Sequence, residues 1–298
     1  MSKGFTLDWL RLRETVDRRS RSRALARRFA AAVRERAGAG IAVLLDLGAG
    51  TGANVRALAP LIACNQDWRL IDRDPALIAH QPTEIAQWGR AQGYRVAHGS
   101  GLASISVDGA EWRVHGIKLD LAELGQLPLV GVHGVTCSAL LDLVSMDWLE
   151  ALARRLAAAH LPFLAALSTD GHREWQPPHE ADAVIARAFA SHHRRDKGFG
   201  PALGGNAPAA AAAIFEGLGY AVAREPSDWR LGAESAAMLE LLVQDTTAAA
   251  TEVEPAAAAA IAEWRRARLA ELRRGQLRLV IGHADIVAMP REAATQLS

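Results

Sequence analysis

Three short runs of this 298-residue sequence carry residue types that could do chemistry. The first is Val43-Leu44-Leu45-Asp46-Leu47-Gly48-Ala49-Gly50-Thr51-Gly52. Glycines after an apolar run let the backbone turn sharply and approach a ligand, with the next helix aimed at an anionic group. Taken alone the turn is ambiguous, because Gly48, Gly50 and Ala53 also satisfy the dinucleotide pattern in which alanine replaces the third glycine. In the second run Asp72 stands 22 residues after Gly50, where a carboxylate can accept both hydroxyls of a ribose. Asp74 is near enough to substitute for it. The third run is His192-His193-Arg194-Arg195-Asp196-Lys197-Gly198-Phe199-Gly200, two histidines and three cations leading into glycines. It reads either as an anion clamp with His193 as a base, or as a solvated helix end whose basic residues suit the helix dipole. His172 and Asp142 are the other acid–base candidates. His172 and His179 lack a third ligand, so no metal site is expected.

These residues need a scaffold, and its pattern is strand, turn, helix, repeated. Residues 41–47 and 67–72 are short apolar runs of the kind that parallel strands covered on both faces show. Helices are expected over 53–63 and from Asp74-Pro75, where proline suits a first turn. Asp108-Gly109 between alternating runs is a hairpin signal. Residues 129–141 hold a further buried strand with its turn, 147–160 a helix and 161–168 a strand. Residues 169–180 read as a loop, followed by a helix to about His193, another loop to 208, and an alanine-rich helix over 209–218. A strand over 220–225, helices near 233–244 and 256–274, and a last strand or strand pair over 276–290 complete the order. Alternating elements of this kind make an open, mostly parallel sheet with helices on both faces.

With Asp46 two residues before the first glycine, VLLDLGAGTG resembles the first motif of class I S-adenosylmethionine-dependent methyltransferases. Lys118-Leu119-Asp120-Leu121 followed by Leu127-Pro128 looks like that family's adenine-binding segment. The resemblance covers roughly residues 41–170 by motif and the rest by pattern. It implies a doubly wound, mostly parallel seven-stranded α/β sheet of the Rossmann-like methyltransferase type, with residues 1–40 as an N-terminal helical cap. Residues 41–298 would then form the methyltransferase domain, carrying a substrate-covering insertion around 171–208. Residue by residue, Gly48, Gly50 and Gly52 would line the methionine end of S-adenosyl-L-methionine. Asp46 would fix the turn and face the amino group, Asp72 would hold the ribose, and Asp120 the adenine amino group beside the Leu121 backbone. Cys137 and Ser138 would lie near the reacting sulfonium. Over the carboxyl ends of the strands, Asp142, His172 and His193 are the expected catalytic groups.

Composition narrows the classes. Lys+Arg total 34 against 33 Asp+Glu, a net charge of +1, which argues against a nucleic-acid-coating protein. The segment Val135–Leu141 lacks an Asn/Asp-Pro-Pro-aromatic motif for a flipped base, and Cys137 follows Thr rather than Pro, so a small-molecule acceptor is favoured over nucleic acid. Two cysteines form no disulfide scaffold, no leader is evident at the start, and no apolar run reaches the ~18 residues of a membrane span, so a cytoplasmic location is expected. Two other readings stay open. One is a nicotinamide-dependent oxidoreductase, although neither Tyr94 nor Tyr220 is followed by lysine four residues on. The other is a non-catalytic cofactor-binding protein whose arginine-rich helices within 1–40 bind RNA or a protein partner. The oligomeric state is not readable.

Overall fold

The computed structural model describes residues 6–99 and 101–291. The absence of a leader was read partly from residues 1–5, which lie outside them. Two helices come first, α1 (Leu7–Ser20) and α2 (Arg23–Ala37), each started by a side-chain cap, from Thr6 and from Ser22. Strand, turn and helix then alternate through β1 (Ala42–Leu47), α3 (Ala53–Leu58), β2 (Gln66–Asp72) and α4 (Pro75–Ala91). A meander of β3 (Arg95–Gly99), β4 (Leu102–Val107) and β5 (Ala110–Lys118) follows. Its Asp108-Gly109 turn has φ of 49° and 83°, the left-handed pair a tight hairpin requires. Next come β6 (Gly134–Ser138), α5 (Met146–Ala158), β7 (Phe163–Gln176), α6 (Asp182–His193) and α7 (Ala207–Gly217). The last elements are β8 (Tyr220–Pro226), β9 (Trp229–Leu231), α8 (Ala236–Val253), α9 (Ala258–Arg273) and β10 (Arg278–Pro290).

All ten strands join one sheet in the order β3-β4-β5-β2-β1-β6-β7-β10-β8, with β9 on the far part of β10. The strands β5, β2, β1, β6 and β7 are mutually parallel, and β10 runs antiparallel between β7 and β8. This is the expected doubly wound, mostly parallel α/β sheet of seven strands, widened by three. The β3–β4 hairpin extends one edge, and β9 forms because β7 and β10 continue beyond the sheet as a two-stranded ribbon. That ribbon corrects the loop expected over 169–180: Thr169–Gln176 is strand, paired with Arg278–His283. The polar sequence of its β7 half hides the strand, because between Thr169 and Gln176 only Trp175 is buried. Residues 171–176, expected to open a covering insertion, are part of this strand.

Each face of the sheet has its own core. Leu45, Leu47, Phe163 and Phe215 pack with α5 and α7 on one side; Leu44, Trp68 and Ile85 pack with α2, α3 and α4 on the other. Leu25, Phe29 and Val33 recur at helical spacing and seat α2 on the sheet. The approach is close at Gly134, where a Cβ would stand 2.5 Å from Val33 and 2.9 Å from Phe29. Beneath the ribbon, Trp175, Trp229 and Trp264 make a third core with α6, α8, α9 and Val16 of α1. Here the sealed Arg268 guanidinium bonds Asp182 at 2.6 Å, Glu271 at 2.8 Å and the Pro177 carbonyl at 2.6 Å, fixing the start of α6.

Asp285, 2% exposed on β10, fastens the N-terminal helices to the sheet. Its Oδ2 accepts the Ser22 N–H at the start of α2, and its Oδ1 accepts the Leu167 N–H on β7, both at 2.8 Å. Leu167 sits at φ 55°, a left-handed backbone that a leucine holds only under constraint. An asparagine in place of Asp285 can accept one of these N–H groups but not both. Asp285→Asn should lose about 2–4 kcal/mol in urea unfolding with an unchanged m-value; an unchanged midpoint would show that the carboxylate is not a tie.

Candidate functional site

The glycine turn leaves the carboxyl end of β1 with Gly48, Gly50 and Gly52 at φ of 65°, 53° and 83°. Repeated left-handed backbone is strained for residues with a Cβ, which accounts for glycine here. The turn is sewn to the end of β2. The Ala49 N–H donates to the Ile71 carbonyl at 2.9 Å, and the Gly50 N–H to Asp72 Oδ2 at 2.8 Å. Asp72 Oδ1 accepts the Asp74 N–H at 3.0 Å, so its carboxylate is aimed, with lone pairs remaining for a ligand. Asp74, the alternative, caps α4, its Oδ1 accepting the Ala76 N–H at 2.8 Å.

Asp46 lies behind the turn at 1% exposure. Its Oδ1 accepts from Asn54 Nδ2 at 2.7 Å, while its Oδ2 has no partner. Burial pushes its carboxyl up to about 7, against the Asn54 hydrogen bond and the charge of Arg21; the charge of Asp72 pushes it further up. An orphaned oxygen on a buried carboxylate at the mouth of a glycine turn is a position for a donor, best a cation.

The cleft over the turn is closed from the N-terminal side. Leu10 of α1 lies against Gly50, where a Cβ would meet its Cδ1 at 3.4 Å. Arg21, between the two helices, donates to Asn54 Oδ1 at 2.6 Å and to Ser138 Oγ at 3.0 Å. The remaining cleft is about 60 Å³, lined by Arg13, Asp17, Asp46, Asn54, Ser138 and the turn. A larger hollow of about 330 Å³ lies by Ile41, Gln66 and Glu111, at the amino ends of the strands, away from every candidate residue.

The adenine-side residues fall at the same edge. The Leu119 N–H donates to the Asp72 carbonyl at 3.0 Å, which puts Asp120 just past the end of β2. Asp120 is exposed and its Oδ1 accepts the Ala122 N–H at 3.0 Å. The Leu121 carbonyl is taken by the Trp148 indole at 2.6 Å, and Leu121 and Leu140 methyl groups border Gly48. Cys137 needs correction. Its side chain is sealed in the core opposite Leu47, and burial, with Asp46 and Asp142 nearby, holds its thiol well above the usual range. Of the pair only Ser138 lines the cleft.

On the acceptor side the structure joins two candidates that the sequence left apart. His193 Nε2 stands 3.2 Å from Asp142 Oδ2, and Asp142 Oδ1 is buried without a partner. The geometry is that of a histidine oriented by a carboxylate. His172 is not brought to this pair; it stands exposed on the ribbon, 3.7 Å from Glu174. The anion clamp expected over 192–200 is also corrected in part, since Arg195 and His192 both turn to Glu252. The loop is tightly wound, with Asp196 Oδ1 accepting the N–H groups of Gly198, Phe199 and Gly200 at 2.6, 3.1 and 3.0 Å. Phe199 packs edge-on against Trp148. Sequence reasoning missed Leu10, Arg21 and Asn54. The signals were there: Asn54 in the first turn after the glycines, and Ser22, a helix cap, directly after Arg21.

No family model matches the chain, and no curated protein is significantly similar to it. Solved structures overlap it loosely. A methyltransferase from Thiobacillus denitrificans, solved with S-adenosyl-L-homocysteine, is 18% identical over 97% of this chain and 100% of that one, with a TM-score of 0.42. A cyclopropane-fatty-acyl-phospholipid synthase-like protein from Lactobacillus casei is 15% identical over 93% and 99%, at 0.44. Geranyl diphosphate C-methyltransferase from Streptomyces coelicolor is 12% identical over 90% and 77%, at 0.38. Overlaps this loose decide nothing about chemistry, which has to come from the site itself. Among the described residues no helix is long and apolar enough to cross a membrane, and no three His, Cys, Asp or Glu residues cluster as a metal site.

The raised carboxyl of Asp46 makes a pH test of the site. A carboxyl at about 7 in the folded chain, against 3.8 when free, binds more protons folded than unfolded between those values. The contribution of this group to stability therefore falls as pH rises from about 4 to 7, by an amount on the order of 3 kcal/mol. Asp46→Asn should remove that contribution, so that in urea melts the stability of the variant relative to wild type rises with pH through this window; a difference that does not change with pH contradicts the assignment.

Proposed function

We propose that the protein is an S-adenosylmethionine-dependent methyltransferase acting on a small, anionic metabolite. The supporting observation is the acidity of the glycine turn. Asp46 and Asp72 both border it, close enough for the charge of one to raise the other. Asp72 suits the ribose of either ligand, but a dinucleotide would set its pyrophosphate against this turn beside Asp46 and a helix of only six residues. Like charges at that distance oppose such binding, whereas a ligand carrying an ammonium and a sulfonium gains from it. The nicotinamide reading loses on this ground, and on the absence of a Tyr-x-x-x-Lys pair.

The residues present fit the cofactor. Gly48 and Gly50 leave backbone open at the methionine end, whereas Gly52, expected beside them, is buried against Ile85 and Leu70 and only turns the chain into α3; the free oxygen of Asp46 faces an amino group, and Asp72 keeps lone pairs for the ribose. Asp120, with Leu121 behind it, borders the adenine, and Ser138 the sulfur. When bound, the cofactor supplies an activated methyl group for in-line displacement. The chain's task is placement, which can contribute ~7–11 kcal/mol through alignment alone. Asp142 holds the ring through Nε2 and balances its charge, which leaves His193 Nδ1 as the atom that accepts the proton of a hydroxyl, amine or thiol acceptor as the methyl arrives. Residues 1–40 serve as the cap over the methionine end, and those from 177 to 208 cover the acceptor. Near-neutral charge and the missing flipped-base motif support a metabolite rather than nucleic acid, and a cytoplasmic location fits both.

Isothermal titration should show S-adenosyl-L-homocysteine binding, weakened about 10- to 100-fold in Asp72→Ala through loss of charge-assisted hydrogen bonds. Heat with NAD and none with the adenosyl ligand would reverse the assignment. The RNA-binding alternative has its own mark, strongly salt-dependent RNA affinity that vanishes on deleting residues 1–38.

A further inference from the structure

Arg21 is a half-buried cation with neutral partners only. Among the described residues its guanidinium bonds an amide oxygen, Asn54 Oδ1, and a hydroxyl, Ser138 Oγ, and meets no carboxylate within ion-pair distance. Two of its five N–H groups are used, and the fork is the geometry that grips a carboxylate through two parallel bonds. Its charge still acts on Asp46, whose buried Oδ2 has no partner. The cleft thus presents an unengaged carboxylate oxygen and an underused guanidinium within one electrostatic neighbourhood. That pairing is complementary to a zwitterion, and no phosphate or neutral group would satisfy both.

We infer that Arg21 binds the carboxylate of the cofactor's amino-acid end while Asp46 receives its ammonium, so that binding selects a zwitterion. This rests on the S-adenosylmethionine reading above. It also assigns the cap a task. A cleft of about 60 Å³ is far below the roughly 300–1,000 Å³ of sites that hold such ligands, so α1 and Arg21 must swing out for entry. On return Arg21 exchanges its bonds to Asn54 and Ser138 for the ligand carboxylate. Ser138 is then free to face the sulfur. The positioning is fixed from behind, because the next residue, Ser22, is held through its N–H by Asp285 and through its hydroxyl by Glu225.

The test compares S-adenosyl-L-homocysteine with its decarboxylated analogue, which keeps the amine and lacks only the carboxylate. By titration calorimetry the wild type should prefer the intact ligand about 10- to 100-fold. In Arg21→Ala that preference should collapse toward one, through weaker binding of the intact ligand and not of the analogue. Arg21→Lys, which keeps the charge without the fork, should fall between and serves if the alanine variant does not fold. An undiminished preference in either variant overturns the inference. So does tighter binding of both ligands by Arg21→Ala, which would make Arg21 a plug. Binding of neither ligand by the wild type removes the S-adenosylmethionine reading itself, and this inference with it.

Discussion

A single buried carboxylate sets how the N-terminal helices meet the sheet. Asp285 accepts two backbone N–H groups, one from Leu167 in its left-handed conformation and one from Ser22 at the head of α2. Its two oxygens are the natural partners for two N–H groups that no ladder or helix satisfies, and leaving either unpaired inside the protein is costly. The tie spans residues 118 and 263 positions apart in sequence, so it exists only when β7, β10 and the cap are all assembled. Arg21 immediately precedes Ser22, and α1 immediately precedes Arg21. The closure of the cleft therefore descends from where β10 places one side chain.

That dependence explains why β10 runs antiparallel between β7 and β8. An antiparallel neighbour brings its early residues to the carboxyl end of β7, where ligand chemistry collects in open α/β sheets. The register shift between Ala284 and Ile286 lies opposite the left-handed Leu167, and a second, between Ile281 and His283, lies opposite residues 170–172. A second left-handed residue, Ala139 at φ 49°, follows β6 at the same edge. Leu167 and Ala139 thus place left-handed backbone on the side of the sheet that carries Asp142 and Ser138, while Asp108 and His160, also left-handed, lie in turns at the opposite edge.

Much of this was legible before any coordinates. Buried strands, glycine turn, Asp72 and the Asp108-Gly109 hairpin depend on local chemistry, apolar runs and residues tolerant of positive φ, and these read directly from spacing. The ribbon was not legible, because Asp170 to Glu174 is polar and a strand with one open face in a two-stranded extension hides its periodicity. The His193–Asp142 pair was visible as two separate candidates; its union depends on α6 being anchored by Arg268, 75 positions downstream of His193. Cys137 illustrates the reverse error. The end of a strand was read correctly, but alternation put Ser138 at the cleft and turned the thiol into the core.

Charge gives the cleft its character. Asp17, Asp46 and the Arg13 guanidinium line it, with Asp72 bonded to the turn at Gly50 and Arg21 bonded to the lining residues Asn54 and Ser138. Arg13 is already committed to Asp17, at 2.8 Å, and stacks on Trp229. With that pair neutralised, Asp46 and Asp72 are left beside Arg21, and the rise of the Asp46 carboxyl to about 7 relieves part of that negative balance. A ligand bearing net positive charge would relieve the rest. On the proposed reading the methyl donor carries a sulfonium charge that its product lacks, so the same electrostatics would favour the donor over the product.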